Sequence, residues 1–109
     1  MKYSIAIGSD HAGFDVKQKI IQALESGDLQ EFNGGISDMG PDSSDRVDYP
    51  DFAHKVAQAV SEGTCNLGIL ICGSGNGVCI TANKHEGIRA GLAWDTDLAS
   101  LAREHNNAN

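Results

Sequence analysis

Basic residues, proline, aromatics and long apolar runs are all scarce in this chain of 109 residues. Lys and Arg number 8 against 15 Asp and Glu, a formal charge of -7. That balance excludes a general binder of nucleic-acid backbone, which needs a basic face. It still permits a small anionic ligand, because a few backbone N–H groups and one or two cations can hold a phosphate in an acidic protein. No apolar stretch approaches the length of a membrane span, and the run Tyr3–Ile7 is too short for a signal-peptide core. The cysteines are few and odd in number: Cys65, Cys72 and Cys79 form no C-x-x-C pair. Zinc-ribbon and thioredoxin-type readings therefore fail. Free thiols without an export signal point to the cytoplasm, with no membrane partner.

What is present is alternation. Tyr3–Ser9 reads as a buried strand. Val16, Ile20, Ala23 and Leu24 follow at helical spacing, and Gly27 is a stop. Leu29–Phe32 reads as a second strand. Residues 33–48, with Gly34-Gly35 and Gly40-Pro41, read as a loop. Pro50 opens a helix whose buried stripe is Phe52, Val56, Ala59 and Val60, ending at Gly63. Leu67–Cys72 is continuously apolar, as a central parallel strand is. A glycine-rich turn leads into a short helix to about Lys84. Ile88–Ala93 reads as a fourth strand, and Asp95 as the N-cap of a helix carrying Leu98, Leu101 and Ala102.

The β-α repetition predicts one α/β domain over 1–109, a three-layer α/β/α sandwich on a parallel Rossmann-like sheet. Ligands of such sheets bind beyond the carboxyl ends of the strands. Those ends are Ser9-Asp10-His11, the Cys72 loop, and Ala93-Trp94-Asp95.

Three segments carry candidate chemistry. In Cys72-Gly-Ser-Gly-Asn-Gly77, alternate glycines allow a tight turn that exposes N–H groups at a helix N-terminus. Such a cradle suits an oxyanion or phosphate, and its field favours thiolate over thiol at Cys72. Val78 stands where a dinucleotide fingerprint has its third glycine, and no Walker lysine follows. The competing reading is a plain βα turn with Cys72 as a small buried residue. Asp10 can hold sugar hydroxyls and His11 a phosphate; alternatively Asp10 caps the first helix and His11 lies in a surface turn. His105 and Asn106 are rich in hydrogen-bonding groups but are equally compatible with a solvated tail.

Taken in order, six pieces resemble the family of ribose-5-phosphate isomerase B and galactose-6-phosphate isomerase. They are Ile7-Gly-Ser-Asp-His-Ala-Gly-Phe14, Asp45-Arg-Val-Asp-Tyr-Pro50, Ile69-Leu-Ile-Cys-Gly-Ser-Gly-Asn-Gly77, Ala82-Asn-Lys84, Gly87-Ile-Arg-Ala90 and Arg103-Glu-His-Asn106. The resemblance implies isomerisation of ribose 5-phosphate to ribulose 5-phosphate, or of a six-carbon sugar phosphate. A non-catalytic phosphate-binding module is the alternative from another class. In the implied site Cys72 is the base, and His105 opens the sugar ring with Ser74 as helper. Asp10 and Asn106 hold hydroxyls, His11 faces the phosphate, and Gly73, Gly75, Asn76 and Gly77 receive the enediolate oxygen. The resemblance implies no metal and no organic cofactor. It also implies a homodimer or a pair of dimers with interfacial sites. The family's sheet has five strands, of which about four are expected here, its last strand and helix following the Asn-x-x-Asn segment. The expectation is therefore that the 109 residues are the ordered part of a longer protein.

Overall fold

The computed structural model describes residues 2–109. Its elements are β1 (Ile5–Ser9), α1 (Phe14–Glu25), a 3-10 turn (Gln30–Phe32), β2 (Ile36–Asp38), α2 (Tyr49–Ser61), β3 (Leu67–Ile71), α3 (Asn76–Ala82) and α4 (Thr96–Asn106). The three strands form a parallel sheet in the order β2-β1-β3. Ile5 lies level with Ile36 on one side and Leu67 on the other, and Ser9 level with Ile71. The expected α/β class with a parallel sheet is what the chain forms.

Strand alternation assigns the helices to faces. Ala6, Val56, Ala59 and Cys65 pack as one buried cluster with Leu70 against it. A Cβ at Gly8 or Gly68 would lie 2.8 or 2.9 Å from a methyl of Val56. The small residues of β1 and β3 thus let α2 settle close to this face. The opposite face presents Ile5 and Ile69, which share a groove with Ile20 and Leu24 of α1. Both faces of the sheet are therefore clothed, which explains the near-absence of polar residues in β1 and β3.

Three expectations need correction. Leu29–Phe32 is not a strand: Gln30–Phe32 is a 3-10 turn, and the strand is Ile36–Asp38, inside the stretch expected to be a loop. Ile5 N–H donates to Gly35 O and Met39 N–H to Ile7 O, so β1 recruits that short segment by backbone pairing. In α1, Val16 is 48% exposed, Ala23 is exposed, and Lys17 is buried instead. Lys17 Nζ turns inward because Asp38, at the end of β2, receives it through both oxygens at 2.7 and 2.9 Å. Finally, Ile88–Ala93 carries no strand, so the described residues contain three strands rather than about four. A strand exists only by its ladder. Ala90 instead gives its N–H to Asn83 Oδ1 (2.8 Å) and accepts from Asn83 Nδ2 (2.9 Å).

On its other side this segment is separated from β3 by one backbone. Asn109 accepts from Gly68 N–H at 2.8 Å and donates to Arg89 O at 3.0 Å, so this one residue bridges the two segments. A groove of about 990 Å³ runs between them, lined by β3, residues 88–94, α1 and α4. This groove is why β3 is only half-buried and why α4 has no buried residue.

Candidate active site

The carboxyl ends of β1 and β3 meet, and Asp10 is the residue that joins them. Its Oδ1 accepts from Gly13 N–H at 2.8 Å, closing the turn into α1. Its Oδ2 accepts from Gly73 N–H at 3.3 Å, in the glycine loop. Asp10 N–H also donates to Ile71 O at 3.0 Å. The two loops are thereby pinned by one half-buried carboxylate, which closes the turn before α1; the N-cap position of the helix is Gly13, not Asp10.

Gly13 must be glycine here. A Cβ would sit 2.7 Å from Ile71 O and 2.9 Å from Ile71 C, atoms of a strand that cannot yield. His11 is fixed from the loop before α2: its Nδ1 lies 3.2 Å from Val47 N and 3.3 Å from Val47 O. A neutral ring accepts from the N–H, and an imidazolium donates to the C=O, so either form is held in place. Nε2 is the nitrogen left to meet a ligand.

Cys72 leaves β3 half-buried, and its Sγ accepts from Gly75 N–H at 2.9 Å. A donor aimed at sulfur is the arrangement a thiolate needs. Gly75 adopts φ 81°, the left-handed conformation that turns its N–H back toward Sγ. Asn76 N–H is engaged with Ser74 Oγ at 3.3 Å. Of the amides expected to form an anion cradle, those of Gly73, Gly75 and Asn76 are therefore already used within the loop. Among the described residues, those of Ser74 and Gly77 have no intrachain acceptor. Ser74 is exposed, so its hydroxyl is accessible.

His105 and Asn106 are not brought to this edge within one chain. They end α4, which spans 11 residues, or about 16 Å. The chain then turns at Asn107 and reaches Asn109 beside Gly68, near the start of β3. From Gly68 to Cys72 is about 13 Å along a strand. His105 and Asn106 are exposed and make no side-chain hydrogen bond among the described residues.

Two neighbours of the site lie in segments that the sequence analysis quoted, without being singled out there as site residues. Tyr49 covers the start of α3, where a Cβ on Gly77 would lie 2.6 Å from its ring. Ser9, immediately before Asp10, is 1% exposed, and its Oγ has no partner among the described residues. Their roles depend on which loops meet, and periodicity does not report that. No group of three or more His, Cys, Asp or Glu side chains is placed to hold a metal among the described residues.

The family model for ribose/galactose isomerases matches residues 5–109. The chain belongs to that family. A probable ribose-5-phosphate isomerase B of Mycoplasma pneumoniae is 46% identical over 110 residues, covering 100% of this chain and 69% of its own length. The ribose-5-phosphate isomerase of Thermotoga maritima superposes with a TM-score of 0.91 at 44% identity, covering 100% of this chain and 72% of that one. A Mycoplasma genitalium ribose-5-phosphate isomerase B, solved with ribulose 5-phosphate bound, gives a TM-score of 0.88 at 43% identity, over 100% of this chain and 70% of that one. This member of the ribose/galactose isomerase family keeps the fold of those enzymes through β1, β3 and the loops that follow them. No helix among the described residues is long and apolar enough to cross a membrane.

Proposed function

We propose that this chain is an aldose–ketose isomerase that interconverts ribose 5-phosphate and ribulose 5-phosphate. The observation that carries the reading is the thiol of Cys72, held by Gly75 N–H beside the Asp10-bridged loops in a chain of this family. Cys72, as thiolate, takes the proton from C2 of the open-chain aldose. The C2–H electron pair forms the C1–C2 double bond, and O1 becomes the enediolate oxygen. Cys72 then returns the proton to C1, while the O2 proton passes to O1 and C2 becomes the carbonyl. Amides in the glycine loop, Ser74 and Gly77 foremost, stabilise the enediolate charge, each well-aimed donor contributing about 3–4 kcal/mol. Asp10 holds a hydroxyl and His11 faces the phosphate. These acid–base groups complete the proton chemistry without an organic cofactor.

His105 and Asn106 enter the site from a second copy of the chain, with His105 opening the furanose ring and the Ser74 hydroxyl assisting. Support comes from their distance from Cys72 along the fold and from apolar surface suited to an interface. Trp94 is 75% exposed and Ile80 62%. A homodimer or pair of dimers follows. The cytoplasm, where free thiols persist, is the compartment in keeping with three unpaired cysteines.

A six-carbon substrate remains the second reading, because the matching family model covers galactose as well as ribose isomerases. Turnover of ribose 5-phosphate measured beside galactose 6-phosphate decides between them. A preference for the five-carbon sugar is expected. Faster turnover of the hexose phosphate would reassign the substrate and leave the chemistry standing, and no turnover of either would overturn the enzymatic reading.

A further inference from the structure

Away from the glycine loop, two histidines without a part in the isomerase chemistry converge. His54 lies on the exposed face of α2, and His85 in the turn after α3, at the opposite end of that helix from Cys72. His54 Nδ1 and His85 Nε2 are 2.8 Å apart, with ring centroids at 5.1 Å and planes inclined by 55°. Two nitrogens this close share one proton: one ring donates and the other accepts. The shared proton lies between the two nitrogens, and once it is displaced both can turn toward a Lewis acid placed to one side of the line that joins them.

We propose that His54 and His85 form a surface site for a borderline divalent transition-metal ion of the zinc class, with water filling the remaining positions. Neutral imidazole is a suitable ligand for Zn²⁺, Ni²⁺ and Cu²⁺, whereas Mg²⁺ and Ca²⁺ prefer oxygen. Tetrahedral Zn²⁺ with Zn–N distances of 2.0–2.1 Å needs its nitrogens about 3.3 Å apart. The rings must separate by about half an ångström and pivot toward the ion, a χ adjustment open to exposed His54 more than to half-buried His85.

The scaffold behind the pair is fixed. α2 packs on α3, and Ser61 Oγ donates to Glu86 O at 2.7 Å, tying the end of α2 to the turn that carries His85. The turn itself is closed by His85 N–H to Ala82 O at 3.1 Å and Ile88 N–H to His85 O at 3.2 Å. Holding both ligands in place before the ion arrives reduces the ordering cost of binding. The overall charge of -7 favours a cation at the surface. Among the described residues no third His, Cys, Asp or Glu joins the pair, so the site is a two-ligand one. A bound ion cross-links α2 to the end of α3 and stabilises the folded chain in proportion to its concentration.

The test is calorimetric titration of Zn²⁺ into the untagged protein, repeated with His54→Gln, His85→Gln and Cys72→Ala. A glutamine side chain can still hydrogen-bond the remaining imidazole but is a poor ligand for zinc. One ion per chain is expected, with affinity falling by about tenfold or more in either histidine variant and holding in Cys72→Ala. Cu²⁺ electron paramagnetic resonance should show coupling to two imidazole nitrogens, reduced to one in each variant. Absence of binding at millimolar Zn²⁺, binding undiminished in both histidine variants, or binding lost in Cys72→Ala would each overturn the proposal.

Discussion

Cys72 illustrates how one side chain can be ordinary in sequence and specific in space. The thiol gains its place from Gly75, whose φ of 81° directs an N–H to the sulfur. Cys72→Ala should reduce turnover of ribose 5-phosphate by about 10²–10⁴-fold, the usual contribution of a positioned base, with circular dichroism unchanged. Activity surviving the substitution would remove Cys72 as the base. Gly13 makes a different demand, since its neighbour is the backbone of Ile71. Gly13→Ala should destabilise by about 1–3 kcal/mol through overpacking, measured by urea unfolding. Because the displaced strand end leads into Cys72, turnover should fall as well. A variant as stable and active as the parent would show that the β1 and β3 loops are not tightly joined.

At the scale of elements, the Lys17–Asp38 pair couples α1 to the end of β2. Lys17 is fully buried, while the Asp38 side chain is 39% exposed, and Asp38 also accepts from Gly40 N–H at 2.9 Å. The partners are therefore unequal. Asp38→Ala leaves the buried ammonium without a counter-charge, only Gln18 Oε1 accepting from it at 3.1 Å, and should cost about 3–5 kcal/mol. Lys17→Met leaves a carboxylate that water can reach, so its cost should be clearly smaller. Urea midpoints of the two variants test this asymmetry, and equal losses would show that the charge on Lys17 is not the buried liability. The same pair accounts for the altered stripe of α1. Once Lys17 turns inward, Val16 beside it is carried toward solvent.

For the whole molecule, the decisive fact is that Cys72 and His105 belong to different ends of the fold. If each site combines Cys72 of one copy with His105 of another, inactive variants should complement each other. Cys72→Ala and His105→Ala, unfolded together and refolded as a mixture, should recover roughly a quarter of the parental activity, since half the dimers are mixed and one site in two is intact. Sedimentation should show a dimer or tetramer. A mixture as inactive as its components would place both residues in one chain's site.

Much of the fold was legible without coordinates, for definite reasons. Leu67–Ile71 is apolar throughout, the pattern of an inner parallel strand, and Pro50 with the Val56 stripe marks α2 by local geometry. Asp95 as the cap of α4 is equally local: its carboxylate accepts from Leu98 N–H at 2.8 Å. The candidate residues at the ends of β1 and β3 followed from the rule that parallel sheets collect their ligands there. Tertiary structure decided the rest. Ile36–Asp38 became a strand because β1 offered it a ladder, and Ile88–Ala93 did not because Asn83 took the backbone groups of Ala90. Periodicity records which way a side chain wants to face, but pairing depends on which backbone lies beside it. For the same reason the sequence indicated Asp10, Cys72 and His105 as candidates, while only the folded chain determined that Asp10 reaches Gly73 and that His105 ends far from both.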